Sequence, residues 1–493
     1  MTDRQGALKR ESKLQRICGF DSFCARLSGQ SVQIKRSSMK RNIDLLNGKI
    51  LPSLTALAVP IMATSLVQTA YNLTDMAWIG RVGSHAVASV GAAGMYTWLS
   101  GGIVTLARMG GQVKVAHSLG KGCVDDAAEY AGGALRMTVL LAFMYALVTN
   151  LFSGGLIGFF GLSSPQIVKD AEGYLRITCG LILFSFLNQT MTGLFTATGD
   201  SRTPFLANCV GLATNMVLDP VLIFGLGPFP RMEVVGAAVA TVTAQMIVTA
   251  VLAARAMSDQ VLFGRVKLWR RTRPGYLKAM AALGLPSAVQ NTLYCGISMV
   301  LTRMVASWGD AAVAVQRIGG QIECISWMTA EGFGSAMNAF TGQNFGARAY
   351  ERVKKSYLTA AVLIGIWGTF TTSLLVLGAE PIFCLFIREP EVVPLGISYL
   401  TVIGYGQMFM CEELMTVGAL QGMGKTMSSS VLTVVFTASR IPLAIILGHT
   451  ALGLDGIWWA LTISSIVKGI VFVTYYLCTL KRMPAVVSDR NML

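Results

Sequence analysis

Four polar side chains in an otherwise apolar stretch have the types and spacing for ion binding. Gln68, Tyr71, Asn72 and Asp75 follow one another at i, i+3, i+4 and i+7, so a helix would place them on one face. Asp75 is the only charged residue between positions 54 and 80, a stretch long enough to span a bilayer. A carboxylate inside hydrocarbon is costly and usually faces a cavity in which it has a function. We therefore expect Asp75 to bind a proton or a metal ion and to release it when its surroundings change.

A second polar pair, Asn215 and Asp219, lies one helical turn apart and therefore on one face of a later apolar stretch. Asn188 and Thr241 add polar groups to the neighbouring stretches, and Pro60 weakens the helix of the first acid. Together these residues would surround one pocket. Two neighbouring carboxylates in a low dielectric resist double ionisation, so the pair would carry a proton or coordinate Na⁺ through its oxygen atoms. The alternative is a structural hydrogen-bond network without an ion.

The chain that must position these residues is far more apolar than a soluble protein. Of its 493 residues 53% are hydrophobic and 13% are charged, whereas soluble domains carry about 25% charged residues. Because a spanning helix needs about 20 apolar residues, the pattern predicts an all-α membrane protein with twelve transmembrane helices. The predicted spans lie near residues 51–80, 85–113, 130–160, 168–198, 203–226, 234–257, 277–306, 311–343, 356–387, 392–422, 428–449 and 453–480.

The net charge of +15 is distributed unevenly along the chain. Most Lys and Arg residues fall in the two termini and in the even-numbered loops. Under the positive-inside rule this predicts a multi-pass plasma-membrane protein with both termini in the cytoplasm. The densest basic loop, 265–273, is expected to set this topology beside anionic lipid. We expect the lipid bilayer as a partner, no nucleic acid, no cofactor and a monomer.

The sequence also predicts how the chain is divided. Residues 1–38 are polar and basic and are interpreted as a disordered tail or a mis-assigned start, since Met39 directly precedes the first span. A first lobe is expected over 39–257, a cytoplasmic linker over 258–276, a second lobe over 277–482 and a cytoplasmic tail over 483–493.

An internal repeat supports this division. The sequence around Pro60 returns around Pro286, and the sequence at 83–87 returns at 309–313, with the same offset in both cases. Six spans per half give the two halves the same orientation in the membrane. We therefore expect two six-helix bundles, related by a parallel internal repeat, that face each other across a cleft.

The second half is not a copy of the first. Asp75 corresponds to Leu301, and Asn215 corresponds to Arg440. The second half has acids of its own on spans 8 and 10, with Arg317 and Arg440 as candidate ion-pair partners that would only lock helices together. The residues for which we expect substrate or coupling roles in this half are Glu331, Glu413, Gln316 and Arg440.

From Met39 onward the chain resembles the multidrug and toxic compound extrusion (MATE) transporters. The specific part is the Asn215-x-x-x-Asp219-Pro pattern together with Asp75, and further matching stretches lie at 71–80, 199–204, 236–241 and 342–346. The resemblance implies twelve helices in two lobes and the expulsion of a substrate in exchange for H⁺ or Na⁺.

The resemblance also implies roles for individual residues. In the DinF-like branch of the family, acids in spans 1 and 5 carry the coupling, and Asp75 and Asp219 stand at those positions. Tyr71 and Asn215 lie one turn before them, and Asn188, Thr241 and the helix-bending Pro60 resemble the remaining members of the site. The NorM-like branch has a Glu in span 7, where this chain has Tyr294, so the DinF-like branch is favoured.

The leading hypothesis is a secondary active antiporter that exports amphipathic, cationic organic compounds or drugs by alternating access. A lipid-linked precursor flippase, an exporter of one specific metabolite and a passive channel are the alternatives within the membrane class. An intramembrane enzyme is disfavoured because the sequence has no HExxH motif and no GxGD partner for an Asp protease.

Overall fold

The computed structural model describes residues 43–160, 164–226, 229–259, 262–267, 272–386, 390 and 392–483. All regular structure in these ranges is helical, which confirms the all-α prediction for this part of the chain. The predicted tails at 1–38 and beyond Met483 lie outside the described residues.

The first half of the chain begins with two long α-helices and continues through shorter and bent ones. Its helices are α1 Ile50–Gly80, α2 Ser84–Gly120, α3 Val124–Leu151, α4 Ser153–Gly158, α5 Pro165–Gly180, α6 Leu183–Ala197, α7 Arg202–Phe224 and α8 Glu233–Ser258. The second half has the same order of long, short and bent elements. It consists of α9 Pro274–Ala306, α10 Asp310–Gly346, α11 Tyr350–Leu377, α12 Ala379–Phe383, α13 Val393–Gly404, α14 Gln407–Gly422, α15 Thr426–Ala438, α16 Arg440–Gly448 and α17 Gly453–Lys481.

These helices form the twelve predicted spans. Within the described residues, eight helices are long and apolar enough to cross a membrane, with α15 and α16 taken as one. The pair α5 and α6, bent by 44°, adds a ninth span. The remaining spans are α9, α10 and the pair α13–α14, which are more polar because they carry most of the acids and amides of the second half.

The repeat is visible in the packing of the two halves. A Cβ atom on Gly236 of α8 would lie 2.5 Å from the backbone oxygen of Leu222 in α7, so only glycine fits there. Gly456 of α17 approaches the backbone oxygen of Leu447 in α16 in the same way. Leu222 and Leu447 occupy corresponding positions of the two halves, in agreement with the repeat found in the sequence.

The first helix of each half belongs to both lobes. Leu54 and Leu57, before Pro60 in α1, are buried in a cluster with α10, α11, α14 and α17, whereas Ile79 at the end of α1 is buried among first-half residues. In α9, Met280 is buried among first-half residues. Leu301, beyond the proline of α9, packs with α16 and α17. The two halves therefore exchange the beginnings of their first helices.

The segment before α1 extends this exchange. The Leu45 side chain is buried in the same cluster as Leu54. Its carbonyl oxygen accepts hydrogen bonds from Asn344 Nδ2 (3.0 Å) and Arg352 Nε (3.1 Å) of the second half. The Ile43 amide donates to Gly199 of the first half at 3.4 Å. The boundary drawn at the linker in the sequence is therefore not the boundary of the packed cores.

Two symmetry-related hydrogen bonds join the lobes where α2 and α10 end. His117 Nε2 donates to the carbonyl oxygen of Gly422 at 2.6 Å, and Gln343 Nε2 donates to that of Ala197 at 2.7 Å. The two donors correspond to each other in the repeat, and so do the two acceptors. We call these two bonds the paired latch. Because Gly120 and Gly346 also approach the backbone of the opposite helix, the cleft between the lobes is closed at this end.

The described part of the linker is held by the start of α3. Arg265 Nη1 lies 3.1 Å from Asp125 Oδ1, and the Tyr276 hydroxyl donates to Asp126 Oδ1 at 2.9 Å. Several polar groups of the linker region, the Arg265 charge among them, therefore have acidic partners within the protein, in addition to any role beside anionic lipid.

The close contact between α9 and α2 gives a direct test of the interface. A Cβ atom on Gly284 would overlap the backbone oxygen of Leu106. We expect Gly284→Ala to lower the free energy of unfolding by about 1–3 kcal/mol, the usual cost of overpacking. The measurement is the thermal unfolding midpoint of the purified protein. Gly296→Ala, on the same helix with open space around it, is the control and should be neutral or stabilising. Equal midpoints for the two variants would contradict this packing.

Candidate functional site

The two acids of the first half lie inside the first lobe. Asp75 is on α1 and Asp219 is on α7, and these two helices pack against each other. Asp75 is 8% exposed, and Asp219 is fully buried. The charge of Asp75 acts on Asp219, so the structure brings the two predicted carboxylates into one electrostatic site.

Several oxygen atoms of this site have no hydrogen-bond partner. Asn215 Nδ2 donates to Asp219 Oδ1 at 3.0 Å. Asp75 Oδ1, Asp219 Oδ2 and Asn215 Oδ1 are buried and meet no partner among the described residues, whereas the hydroxyls of Tyr71 and Thr241 interact with each other. A buried polar atom without a partner costs about 1–3 kcal/mol, so a cluster of them in one place requires an explanation.

The arrangement fits a small cation. Carboxylate, amide and hydroxyl oxygens are the ligands that hard cations take in proteins. A proton shared between the carboxylates would equally supply a donor to the unpaired oxygens and remove the repulsion between Asp75 and Asp219. Tyr71, Asn215 and Thr241 thus lie beside the two acids.

Tyr174 of α5 belongs to the same group and was missed in the sequence. Its side chain is buried and interacts electrostatically with Asp75, Tyr71 and Asp219. Its position in the sequence does not indicate a functional role, because a tyrosine on the apolar face of an amphipathic helix such as α5 is usually a core residue.

Asn188 lies in a separate network between α6 and α8. Its Nδ2 donates to Gln245 Oε1 at 2.7 Å and to the Gln245 carbonyl oxygen at 3.0 Å, and its Oδ1 accepts from Thr249 at 2.7 Å. The Asn188 amide is therefore satisfied without an ion. Gln245 also lines a small cavity together with Gln68 and Tyr71, which places this network beside the acidic site. The helical spacing of Gln245 and Thr249 could have identified them.

Pro60 lies inside α1, which is assigned as one continuous helix from Ile50 to Gly80. The proline has no amide hydrogen, so one backbone bond of the helix is missing at this point. Met62, which follows it closely, packs against Gly332 of α10, where an added Cβ would lie 2.8 Å from Met62 Cγ. The weakened turn of α1 therefore lies at the contact with the second lobe.

In the second lobe, Glu413 is paired with Lys468. Glu413 Oε1 lies 2.9 Å from Lys468 Nζ, and the two side chains are 4% and 5% exposed. Arg317 and Arg440, the candidate ion-pair partners of the second-half acids, form no ion pair with Glu413, which is paired with Lys468 on α17 instead. Glu413 stands at the position that corresponds to Asn188. In the first lobe this position joins α6 to α8 through amide hydrogen bonds. In the second lobe it joins α14 to α17 through an ion pair.

Arg440 lies where span 11 is interrupted between α15 and α16. Its Nη2 donates to Ser465 Oγ at 2.9 Å, and its Nε donates to Ser464 Oγ at 3.3 Å. Gln316 is half-buried and its Oε1 has no partner among the described residues. Glu331 is exposed on α10 and forms no ion pair within the described chain. Of the four residues predicted for this lobe, Glu413 and Arg440 both interact electrostatically with Lys468, whereas no hydrogen bond or ion pair within the described residues joins Gln316 or Glu331 to them.

The buried pair gives a prediction about stability. Removing one member of a buried ion pair leaves an uncompensated charge, which typically costs about 3–5 kcal/mol. We expect Lys468→Met to lower the free energy of unfolding by that amount. The double variant Glu413→Gln, Lys468→Met should recover most of the loss. The measurement is thermal or denaturant unfolding of the three proteins, and a double variant no more stable than Lys468→Met would argue against the pair.

Comparisons with known proteins agree with this architecture. The sequence model of the MatE family matches the chain twice, at residues 60–221 and 286–446. The two matches begin at Pro60 and Pro286, the same two prolines that relate the halves in the sequence, which confirms the repeat.

Two curated relatives cover nearly the whole chain. A probable multidrug resistance protein NorM of Thermotoga maritima is 25% identical over 439 residues, 87% of this chain and 92% of the relative. A FAD transporter of Shewanella oneidensis is 26% identical over 452 residues, 89% of this chain and 96% of the relative.

Solved structures share the fold. A MOP superfamily transporter of Pyrococcus furiosus superposes with a TM-score of 0.83 at 24% identity, covering 90% of this chain and 98% of that one. A multidrug resistance MATE family transporter in an outward-facing conformation superposes equally well, with a TM-score of 0.83 at 23% identity over the same shares.

Proposed function

Because this chain belongs to the MatE family of membrane transporters, which are not enzymes, we propose that it is a secondary active antiporter of the drug-efflux type. It exports amphipathic organic compounds in exchange for H⁺ or Na⁺. The observation that carries the proposal is the pair of buried carboxylates, Asp75 and Asp219, each with an oxygen that has no partner among the described residues. Such a site is costly when empty, so it favours uptake of a cation.

Alternating access requires a cleft that opens at one end when it closes at the other. The paired latch and the glycine contacts of α2 and α10 close one end, so opening that end must break His117–Gly422 and Gln343–Ala197. With cytoplasmic termini, as the basic loops indicate, the closed end faces the cytoplasm. The protein would then sit in the plasma membrane in an outward-open state.

The path from the ion to the cleft runs along α1. Asp75 lies in the first-lobe half of this helix, and Leu54 and Leu57 lie in the second-lobe core. A cation at Asp75 and Asp219 removes their repulsion and lets α1 and α7 approach. Pro60 is the weakest turn between the two parts, so we infer that it bends as the ion binds.

The substrates of this proposal are amphipathic organic compounds. Cations are the first group to test, because Asp75 and Asp219 are buried and form no ion pair within the described residues. A narrower role, the export of one specific metabolite, is the second candidate, and the relative named as a FAD transporter favours it. A lipid-linked precursor flippase is less favoured. Such a protein would need a strongly cationic cavity, and Lys468 here is neutralised by Glu413. We infer a monomer.

The coupling site is tested in proteoliposomes loaded with a fluorescent cationic dye. Wild-type protein should expel the dye when a pH gradient or a Na⁺ gradient is imposed, and the effective gradient identifies the ion. Asp75→Asn and Asp219→Asn should each reduce this efflux to the leak of protein-free vesicles, because neither amide titrates or carries the charge that attracts the ion.

Asp170→Asn on α5 is the matched control, since its carboxylate only accepts hydrogen bonds from Gln166 near the start of that helix. It should transport like the wild type. Gradient-driven efflux that survives in Asp75→Asn would overturn the antiport proposal.

The latch is tested by removing both of its donors. Each hydrogen bond contributes about 1 kcal/mol, so His117→Ala with Gln343→Ala should shift the closed-to-open equilibrium by about 30-fold. Hydrogen–deuterium exchange at the ends of α2 and α10 should rise accordingly. His85→Ala, an exposed histidine at the other end of α2, is the control. Unchanged exchange in the double variant would show that the latch does not hold the lobes.

A further inference from the structure

Arg440 carries a charge that the protein does not neutralise at close range. Among the described residues no carboxylate lies within ion-pair distance of its guanidinium group. Glu413 is paired with Lys468 instead. A guanidinium group has five N–H donors. Two of them reach the hydroxyls of Ser464 and Ser465, and the others meet no acceptor in the described chain. A cation held in this way inside a membrane bundle is expensive and marks a functional group.

Other ionisable groups face Arg440 at longer range. Tyr294 of α9, Glu323 of α10 and Lys468 of α17 each interact with it electrostatically, and Glu413 acts on Tyr294 and Lys468. Glu323 is the one acid of this set without a basic residue in contact among the described residues, and it remains outside ion-pair distance of Arg440. The guanidinium donors therefore stay free for a ligand.

A cavity begins one turn beyond Arg440. Ala444, which follows on the same face of α16, is part of the wall of a cavity of about 370 Å³. This volume lies within the range of binding sites for small organic molecules. Most of the wall is apolar, and Ser307 and His449 add polar groups. The other lining residues are Met304, Trp308, Ile445, Gly448 and Ile457.

The repeat relates the acidic site of the first lobe to this region, namely Arg440 and the cavity whose wall includes Ala444, which together we call the chamber. Ala444 stands at the position that corresponds to Asp219, and Leu301 stands at the position that corresponds to Asp75. Both acids are thus replaced by apolar residues. Arg440 corresponds to Asn215, so the amide that supports an acid in the first lobe is replaced by a cation in the second.

We propose that this chamber binds the acidic group, a carboxylate or a phosphate, of an amphipathic organic substrate. The acidic group lies against Arg440, whose planar fork of donors matches both oxyanions, and the apolar body fills the cavity behind Ala444. The inference rests on the exporter function proposed above and widens its substrate class from cations to organic acids and zwitterions.

The test compares ligands that differ only in the acidic group. One pair is riboflavin 5′-phosphate and riboflavin, and the other is 1-naphthaleneacetate and its amide. Binding to the purified full-length protein is measured by calorimetry. For at least one pair, the wild type should bind the anion about tenfold more tightly than its neutral partner, the effect of a hydrogen bond to a charged group.

Variants then identify the residue. Arg440→Gln keeps a donor for the serine hydroxyls. The variant should bind the neutral member of the pair as tightly as the wild type does, and it should bind the anion no more tightly than that. Arg440→Lys, which keeps the charge but not the fork, should retain part of the preference. Arg317→Gln, at an exposed arginine of α10, should retain all of it.

Two results would overturn the proposal: a wild type that prefers the anion in neither pair, or an Arg440→Gln protein that keeps the preference. Neither result depends on the coupling experiment. If the protein has no anion preference but still shows gradient-driven efflux, only the anion-binding proposal is wrong. If it prefers the anion but its efflux does not depend on an ion gradient, only the antiport proposal is wrong.

Discussion

Inside a membrane bundle there is little water, so a buried polar group must form its hydrogen bonds within the protein or leave them unformed. The other features of the structure depend on this constraint. Where the protein needs rigidity the partners are complete, as in the Asn188 network and the Glu413–Lys468 pair. Around Asp75 and Asp219 the partners are incomplete. The missing partners distinguish the two acids from the satisfied Asn188 network beside them.

The same constraint explains the contrast between the lobes. Both fold through the same glycine contacts, such as Gly236 with Leu222 and Gly456 with Leu447, so the backbone frame is preserved across the repeat. The side chains inside that frame have diverged in charge. The same frame thus holds two buried acids in the first lobe, whereas the second lobe has apolar residues at those two positions and Arg440, which forms no ion pair within the described residues.

The sequence was sufficient for the twelve spans, the repeat and the first-lobe acids, because hydrophobic length, internal similarity and helical spacing are local properties. It was not sufficient for contacts between distant elements. The pairing of Lys468 with Glu413 has no signal in the sequence, because it depends on how α14 packs on α17. Tyr174 interacts with the acids only through the packing of α5 against other helices, which its own spacing does not predict. The site roles themselves remain predictions.

The exchanged beginnings of α1 and α9 have a consequence for the mechanics of the molecule. Each hydrophobic core is completed by residues of the other half, with Leu54 in one core and Met280 in the other. The two halves are therefore not independent bodies joined by a linker, and neither would bury its core if produced alone. Each first helix instead packs in both lobes and contains one proline, Pro60 or Pro286, between its two parts. A displacement of α1 at Asp75 therefore moves residues inside the second lobe directly, without any contact across the cleft.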